Sequence, residues 1–366
     1  MAGTRLEIDL DALRHNYTYM RSKIAVGIKM MGVVKAFGYG SDASIVALEL
    51  EKLGIDYFAV AYAPEGVSLR KAGVEIPILV LHPQPDNFEL IVAYQLEPSI
   101  YSHRVLSLFS AFIKKQKQTN FPIHLKFNTG LNRLGFLTSD VGVILERFRE
   151  SATLKVKSIF SHLAASEDLN EKKFTKQQIL DFEILAKDLI SGLGYIPFLH
   201  ETNTSGVINY PEAHFDCVRI GIGLYGYGNT AQETEKLLPV ASLKSVISQI
   251  HHLKKGDSVG YNRAFIADSD IVTATLPIGH ADGISRALGN GIGYVTISGR
   301  KAPIVGNVCM DMLMIDVTGI ACQEGTEVEF FGKNTNAETF AQKTSSISYE
   351  VLTSIGQRIK RSVVKE

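Results

Sequence analysis

Three features are scarce or missing in this sequence of 366 residues: cysteine, long apolar runs, and an excess of charge of either sign. The three cysteines form no CxxC pair, which favours a reducing, cytoplasmic setting and predicts no metal site. No apolar run is long enough for a membrane span, and the acidic N-terminus does not resemble a signal peptide. Lys plus Arg and Asp plus Glu both number 38, so no basic field is expected to attract nucleic acid or a membrane surface. These absences favour a cytoplasmic enzyme or a binder of small molecules.

The sequence does contain enough apolar material for a sizeable core, at 45% hydrophobic residues. Over the first 230 residues, strand-like runs alternate with segments of helical periodicity, after an initial strand at 4–9 and a helix at about 12–24. The strand-like runs lie at 29–35, 56–60, 77–81, 96–100, 121–127, 154–161, 196–199 and 215–220. Eight strands alternating with helices predict a (β/α)8 TIM-type barrel, although an open doubly wound sheet would give a similar pattern.

Near residue 230 this pattern changes to strands separated by short turns. The strand-like segments lie at 241–252, 257–265, 271–278, 292–298, 302–308, 312–317 and 326–331, with short helices at about 336–343 and 348–358. This spacing predicts a C-terminal, mainly antiparallel β domain. We therefore predict an α/β plus β protein with a barrel domain at 1–235 and a β domain at 236–366.

The stretch KMMGVVKAFGYG at 29–40 is unusual because Lys35 closes an apolar strand. A lysine there is usually one whose ammonium reaches out to solvent. The alternative is a Schiff-base lysine, since partial burial lowers the pKa of an amine and makes it a nucleophile. Gly38 and Gly40 flank Tyr39, and this loop would let the backbone and a phenol approach a phosphate.

Further polar residues follow other predicted strands at their C-terminal ends, the edge that holds the active site in barrels. They are Arg133, His162, Asn203, Thr204 and Arg219, the last followed by Gly221 and Ile222. Each alone has a structural explanation, such as a salt-bridged arginine, a core histidine or a helix cap. Five such residues at one edge indicate a functional site.

The glycine motif at 221–226 is only weak support for a dinucleotide-binding site. GIGLYG at 221–226 matches G-x-G-x-x-G, but a dinucleotide-binding motif comes early in a fold and precedes a helix.

In the second half, GDSVGYNRAF at 256–265 places a tyrosine at a bend, and GNVCMD at 306–311 leaves backbone N–H groups free to meet an anion. Ordinary hairpin packing explains both stretches equally well.

Taken together, these motifs resemble those of the bacterial alanine racemase family, the fold-type III enzymes that use pyridoxal 5'-phosphate. The resemblance covers nearly the whole chain, and the order of the lysine and CMD motifs is specific to that family. It rests on EIDLDALRHNY at 7–17, VVKAFGYG at 33–40, KFNTGLNRLGF at 126–136, SHLA at 161–164, VRIGIGLYG at 218–226, VGYNRAF at 259–265, IGHADG at 278–283, GNVCMDM at 306–312 and ISYE at 347–350.

The resemblance implies that Lys35 carries the cofactor as a Schiff base and that Arg219 faces the pyridine nitrogen. A cation there opposes protonation of the ring, which suits an enzyme that returns a proton to Cα. His162 and His200 match a network that joins Arg219 to the catalytic tyrosine. The phosphate would be held by Tyr39, Thr204 or its neighbour Ser205, Gly221, Ile222 and Tyr349, and Asn203 is a further residue expected to bind the cofactor.

The resemblance also implies two bases, Lys35 for one face of the substrate and Tyr261 for the other. Arg133 and the backbone N–H of Met310 would hold the carboxylate of the substrate alanine, with Asp311 in the supporting CMD motif. In the family Tyr261 and Met310 come from the partner subunit, so a homodimer with shared active sites is expected. The product D-alanine would serve peptidoglycan synthesis.

Three positions affect how far the resemblance extends. Asn128 stands where the family usually has aspartate, and Lys126 matches a lysine that is often carbamylated to brace Arg133. His280 replaces the usual tyrosine near the substrate entrance. A racemase with broader substrates such as serine therefore stays open, as does a non-catalytic carrier of pyridoxal phosphate, although such carriers lack a β domain.

Overall fold

The computed structural model describes residues 3–364 and contains two large β-sheets. After β1 (Arg5–Asp9), eight parallel strands form the first sheet in the order β8-β7-β6-β5-β4-β3-β2-β9. These strands are β2 (Lys29–Val33), β3 (Tyr57–Val60), β4 (Ile78–Val80), β5 (Glu97–Ile100), β6 (Phe121–Lys126), β7 (Leu154–Phe160), β8 (Phe198–His200) and β9 (Cys217–Ile220). Hydrogen bonds between Asp216 and Leu199 join the two end strands, so the sheet nearly closes into the predicted TIM-type barrel.

Helices alternate with these strands. They are α1 (Leu10–Ser22), α2 (Lys35–Tyr39), α3 (Ala43–Lys52), α4 (Ala63–Ala72), α5 (Phe88–Ala93), α6 (His103–Lys115), α7 (Val141–Glu150), α8 (Lys172–Leu193) and α9 (Thr204–Asn209). The first helix begins two residues before the predicted start because the Asp9 side chain accepts the backbone N–H groups of Asp11 and Ala12. Alternating strands and helices place the loops after each strand at one end of the barrel.

The second sheet has nine strands in the order β11-β14-β17-β16-β15-β18-β10-β1-β19. Its strands, besides β1, are β10 (Ala241–Val246), β11 (Gln249–Leu253), β14 (Ile271–Leu276), β15 (Tyr294–Ile297), β16 (Arg300–Val305), β17 (Leu313–Asp316), β18 (Glu327–Phe331) and β19 (Lys360–Val364). A separate ribbon joins β12 (Ser258–Val259) to β13 (Phe265–Ile266), and the helices are α10 (Ala231–Thr234), α11 (Ala337–Gln342) and α12 (Ser348–Ser354). The predicted β domain is therefore present, and its pairings are mainly antiparallel, as expected.

The first strand belongs to this second sheet rather than to the barrel. β1 lies between β10, with which it pairs antiparallel, and β19, with which it pairs parallel. The division of the chain at residue 235 stays a prediction. A barrel domain that starts at residue 1 does not agree with this pairing, because β1 belongs to the second sheet. The eight strands predicted between 29 and 220 form the barrel without it.

The second sheet also contacts the loop that follows β2. Arg361 donates from Nε to the carbonyl of Gly40, at 3.0 Å, and a Cβ on Gly40 would lie 2.1 Å from the carbonyl oxygen of Leu352 in α12. This close approach requires glycine and places Tyr349 beside the barrel. Within residues 3–364, no helix is long and apolar enough to cross a membrane.

Candidate active site

The C-terminal ends of the barrel strands surround a cavity of about 430 Å3. Active sites of (β/α)8 barrels lie at this end. The predicted residues in its wall are Lys35, Tyr39, Lys126, Arg133, His162, Asn203, Thr204, Arg219, Gly221, Ile222 and Tyr349. Residues chosen at the ends of separate strands therefore meet in one place, while their individual roles stay predictions.

Lys35 enters the cavity directly after β2. Burial lowers the pKa of its ammonium and the Arg133 guanidinium lowers it further, while Glu65 acts in the opposite direction. Glu65 also fixes the backbone here, because its carboxylate accepts hydrogen bonds from the N–H groups of Ala36 and Ala61, both at 2.7 Å. A lysine in this setting has a larger neutral, nucleophilic fraction than a free lysine.

The turn α2 reverses the chain after the lysine by a left-handed backbone. Ala36, Phe37 and Gly38 have φ values of 53°, 56° and 62°. A Cβ on Gly38 would lie 2.8 Å from the backbone of α3, so this position requires glycine. The reversal buries the ring of Tyr39, which stacks on Tyr225 with ring centroids 4.5 Å apart.

The Tyr39 hydroxyl lies at a polar recess of the cavity. A Cβ added to Gly221 would lie 2.4 Å from this hydroxyl, so glycine keeps the recess open. The Thr204 hydroxyl accepts the backbone N–H groups of Gly221 and Gly223, each at 3.3 Å, and the Tyr349 ring lies 5.9 Å from the Tyr39 ring. Hydroxyls and glycine backbone around a recess have the chemistry of a phosphate subsite.

The two neighbouring hydroxyl residues after β8 point in different directions. Thr204 lines the cavity, whereas the Ser205 hydroxyl donates to Glu233 Oε2 at 2.9 Å and accepts from Asn229 Nδ2 at 2.7 Å. Ser205 is fully buried in that second network. Of the two alternatives for the phosphate, the geometry therefore favours Thr204.

Arg219, on β9, is almost fully buried, and its hydrogen-bond partners lie at the cavity floor. Its Nη1 donates to His200 Nδ1 at 2.5 Å, and its Nη2 donates to His162 Nδ1 at 2.9 Å. Nη2 also donates to the carbonyls of Ser161 and Glu201, each at 2.8 Å. These contacts fix the plane of the guanidinium.

The electrostatics of this group follow from burial. Burial lowers the pKa of Arg219 to about 10, which leaves it cationic at neutral pH. Burial and then the Arg219 charge lower the pKa values of His162 and His200 well below the usual value. Both imidazoles are therefore neutral, and each accepts a hydrogen bond from the arginine.

Lys126 adds a further cation to the cavity wall. Burial, followed by the charges of Arg219, Arg133 and Lys35, lowers its pKa to about 8. Four basic side chains thus surround one cavity, an arrangement that fits an anionic ligand such as a phosphate ester or a carboxylate.

Two asparagines near the cavity fix turns. Asn128 Oδ1 accepts the backbone N–H of Asn132 at 2.9 Å, which shapes the loop that carries Arg133. Asn203 Oδ1 accepts the N–H of Gly206 at 2.9 Å and so caps α9. The uncharged Asn128 can thus shape the loop through its amide oxygen.

Four predicted residues of the second domain lie elsewhere. Tyr261, Met310 and Asp311 line a separate, more open cavity of about 790 Å3, and His280 lines a third. Tyr261 is 75% exposed and Met310 is 59% exposed. Among the described residues that line the barrel cavity, none of these four is present.

A buried acid beside the site was missed from the sequence. Glu201 follows His200 and is fully buried, with one carboxyl oxygen 3.3 Å from the hydroxyl of Thr129. Burial raises its pKa to about 8. The signal was available, because an acidic residue directly after a short barrel strand is as unusual as Lys35. Within residues 3–364, no group of His, Cys, Asp or Glu side chains could hold a metal ion.

Comparison with known proteins identifies the family of this chain. A family model described as the alanine racemase N-terminal domain matches residues 8–229, and one described as the C-terminal domain matches residues 240–363. The alanine racemase of Thermodesulfovibrio yellowstonii is 35% identical, covering 98% of this chain and 97% of its own.

Solved structures give the same result. The alanine racemase of Clostridium difficile 630 superposes with a TM-score of 0.94 at 30% identity, covering 100% of this chain and 97% of its own. The alanine racemase of Bartonella henselae, described with covalently bound pyridoxal phosphate, superposes with a TM-score of 0.88 at 28% identity, covering all of both chains. Both halves of the sequence and both sheets thus match one kind of protein, and the chain belongs to the alanine racemase family.

Proposed function

We propose that this chain interconverts L-alanine and D-alanine with Lys35 and the partner subunit's Tyr261 as the two bases. The reaction itself, racemisation of alanine with pyridoxal phosphate, follows from membership of the family. The assignment of bases is our proposal. The observation that carries it is the position of Lys35, a lysine of lowered pKa in a cavity lined by further cations.

The cavity residues fit the cofactor. Bound pyridoxal phosphate supplies a conjugated ring that stabilises negative charge at the substrate Cα. Its phosphate suits the recess formed by Tyr39, Thr204, Gly221, Ile222 and Tyr349, where added side-chain atoms would clash.

Arg219 would face the pyridine nitrogen from the cavity floor. Because its two histidine neighbours accept its N–H groups, the arginine stays charged and opposes protonation of the ring nitrogen. Weaker electron withdrawal by the ring favours return of the proton to Cα over loss of the amino group.

Substrate binding would need the remaining cations. Arg133 lines the cavity and would pair with the substrate carboxylate, and the backbone N–H of the partner subunit's Met310 would complete that site. Lys35 would hold or release a proton at Nζ on one face of Cα, and the phenol of the partner subunit's Tyr261 would do so on the other.

A homodimer is part of this proposal. Tyr261, Met310 and Met312 are exposed and lie in one cavity of the second domain, away from Lys35 of the same chain. Exposed apolar side chains next to a phenol support a surface that a second copy covers. The low cysteine content supports a cytoplasmic location, where D-alanine would supply peptidoglycan synthesis.

The test is deuterium exchange at Cα, in heavy water with pyridoxal phosphate, for L-alanine, D-alanine and L-serine side by side. Exchange with inversion, fastest for alanine, is the expected result. Faster turnover of serine would assign a broader racemase and direct attention to His280. Cofactor binding without any exchange would favour a non-catalytic carrier.

A further inference from the structure

The interior of this barrel contains a column of polar side chains below the cavity. Barrel interiors are normally filled by layers of branched apolar residues. Here the inward positions of four neighbouring strands include Glu97 on β5, His124 on β6, Ser158 on β7 and His200 on β8, all buried. A buried column of polar groups is costly unless each is hydrogen-bonded.

The four side chains form one continuous chain that ends at Arg219. Arg219 Nη1 lies 2.5 Å from His200 Nδ1, and His200 Nε2 lies 2.9 Å from Ser158 Oγ. Ser158 Oγ lies 2.6 Å from His124 Nδ1, and His124 Nε2 lies 2.7 Å from Glu97 Oε2. Four hydrogen bonds thus connect the cavity floor to a carboxylate deeper in the barrel.

The direction of every hydrogen bond in this chain follows from its two ends. A guanidinium only donates, so His200 must accept at Nδ1, and its proton must lie on Nε2 and point to Ser158. The Ser158 hydroxyl therefore donates to His124 Nδ1, and the His124 Nε2–H donates to the Glu97 carboxylate. A doubly protonated His124 would give Ser158 two donors and leave its hydroxyl hydrogen facing neither ring.

The Glu97 end is built to remain an anion. Burial alone would raise the pKa of Glu97, but hydrogen bonds from His124 and Lys157 and the charge of Lys157 hold it below its usual value. Lys157 Nζ lies 2.8 Å from Glu97 Oε1, and the Tyr57 hydroxyl donates to Oε2 at 2.8 Å. The pairing of β6 with β7 shifts register between Ile123 and His124, so Lys157 is an extra residue that turns inward.

We propose that Glu97 is a positioning residue for Arg219, acting through His124, Ser158 and His200. The carboxylate holds both imidazoles with the proton on Nε2, and this leaves Nδ1 of His200 permanently available to Arg219. The part of this inference that concerns catalysis rests on the proposed function, in which Arg219 faces the cofactor ring. The hydrogen-bond order, meaning which group donates at each step, does not depend on the proposed function.

Nitrogen NMR of the cofactor-loaded enzyme, labelled with 15N in histidine, tests the hydrogen-bond order directly. The expected result is an unprotonated Nδ1 and a protonated Nε2 in both His124 and His200. A proton on Nδ1 of either ring would overturn the proposal. In Glu97→Gln, whose amide can donate as well as accept, His124 is expected to become a mixture of the two tautomers.

Kinetics test the effect on the reaction. Glu97→Gln and Ser158→Ala are each expected to lower kcat about tenfold in both directions with KM for alanine nearly unchanged. Because both act on one chain, the double variant is expected to lose about tenfold as well, not a hundredfold. Tyr57→Phe is the matched control, since it removes a hydrogen bond to the same carboxylate but keeps its charge.

The outcomes separate this inference from the proposed function. If the wild-type enzyme racemises alanine and Glu97→Gln loses no more kcat than Tyr57→Phe, the inference fails alone. If the wild-type enzyme does not exchange Cα–H but its histidines show the expected protonation, the hydrogen-bond order is supported and the proposed function fails. Should a variant not fold, the nitrogen shifts of the wild-type enzyme still decide.

Discussion

The barrel cavity and the exposed face of the second domain differ in nearly every physical property. The cavity is the less open of the two and is cationic, with Lys126 and Arg219 almost fully buried. The face that carries Tyr261, Met310 and Met312 is open, and these side chains are between 51% and 75% exposed. The cavity has a candidate base, a recess with the chemistry to hold a phosphate, and positive charge, while the exposed face has a phenol and apolar surface.

This difference supports the proposal that the two regions are halves of one site. A racemase needs a proton donor and acceptor on each side of Cα, and within one chain the two candidates line different cavities. A second copy that covers the exposed face would bring Tyr261 to the cavity of its partner and bury the methionines at the same time. The following predictions are ordered from the largest expected effect to the smallest.

Lys35→Ala should remove the base that the barrel cavity supplies. We expect Cα–H exchange to fall by roughly 10⁴-fold, because both a base and the covalent attachment of the cofactor are lost. Exchange is measured with both alanine enantiomers, and the absorbance of the bound cofactor reports its attachment. Lys29→Ala is the control, since Lys29 begins the strand that precedes Lys35 but is exposed. An unchanged exchange rate in Lys35→Ala would contradict the assignment of Lys35 as a base in the barrel cavity.

Tyr261→Phe should remove the base that the exposed face of the second domain supplies. We expect removal of the L-alanine proton to fall roughly 10²- to 10⁴-fold, and removal of the D-alanine proton much less. The measurement is Cα–H exchange for each enantiomer. Tyr294→Phe, in the same domain, is the control. Equal losses for both enantiomers would contradict the assignment of Tyr261 to one face.

Mixing the two inactive variants sharpens this result. In a mixed dimer of Lys35→Ala and Tyr261→Phe subunits, shared sites would leave one site intact and one doubly substituted. Random reassociation at equal amounts should then restore about a quarter of the wild-type activity. Activity is assayed after unfolding and refolding the mixture, with each variant refolded alone as the control. No recovery in a mixture that forms dimers would mean that both bases act within one chain.

Glu201→Gln tests the electrostatics of the buried half. Its folded-state pKa of about 8 lies above its usual value, so the folded protein holds a proton that the unfolded chain releases above pH 4.5. The wild-type protein should therefore lose stability as pH rises from about 5 through 8. The variant removes this dependence, and its stability relative to wild type should improve by roughly 4 kcal/mol between pH 5 and pH 9. Denaturant unfolding at several pH values measures it, with exposed Glu212→Gln as the control.

Gly40→Ala tests where the two regions of one chain meet. A methyl group there would clash with the carbonyl oxygen of Leu352, and φ of +81° adds strain. We expect a loss of roughly 1–3 kcal/mol in unfolding free energy, and more than in Gly54→Ala. Gly54 has a similar φ of +86° with nothing within 4 Å, so the difference between the two variants isolates the clash. Equal losses would mean that strain alone matters.

Much of the fold was predictable because its signals are local. The barrel strands are short apolar runs bounded by helices, so their periodicity identified all eight and the TIM-type barrel was confirmed. The strand β19 was missed, since a brief or polar segment has little periodicity of its own. The location of β1 in the other sheet depends on partners far along the chain, which a local pattern does not report.

The cavity was predictable for a different reason. Polar residues at the ends of apolar strands are conspicuous, and parallel strands bring their ends together, so Lys35, His162 and Arg219 were expected near one another. The direction of each side chain was not predictable. Thr204 and Ser205 are adjacent and chemically alike, and only packing shows that the second donates to Glu233. The polar column through Glu97 escaped notice because a single glutamate in a strand looks like a surface residue.

The pairing of β1 with β19 has a consequence for how the protein is made. Barrel strands mostly pair with the next strand along the chain, so the barrel can form while synthesis continues. The second sheet instead joins its earliest strand to its latest, and Arg5 pairs with Lys360. That sheet can be completed only once the ribosome has delivered residues 360–364. Tyr349, which lines the barrel cavity, comes from the same late part of the chain, so the cavity wall is also complete only after most of the chain has been made.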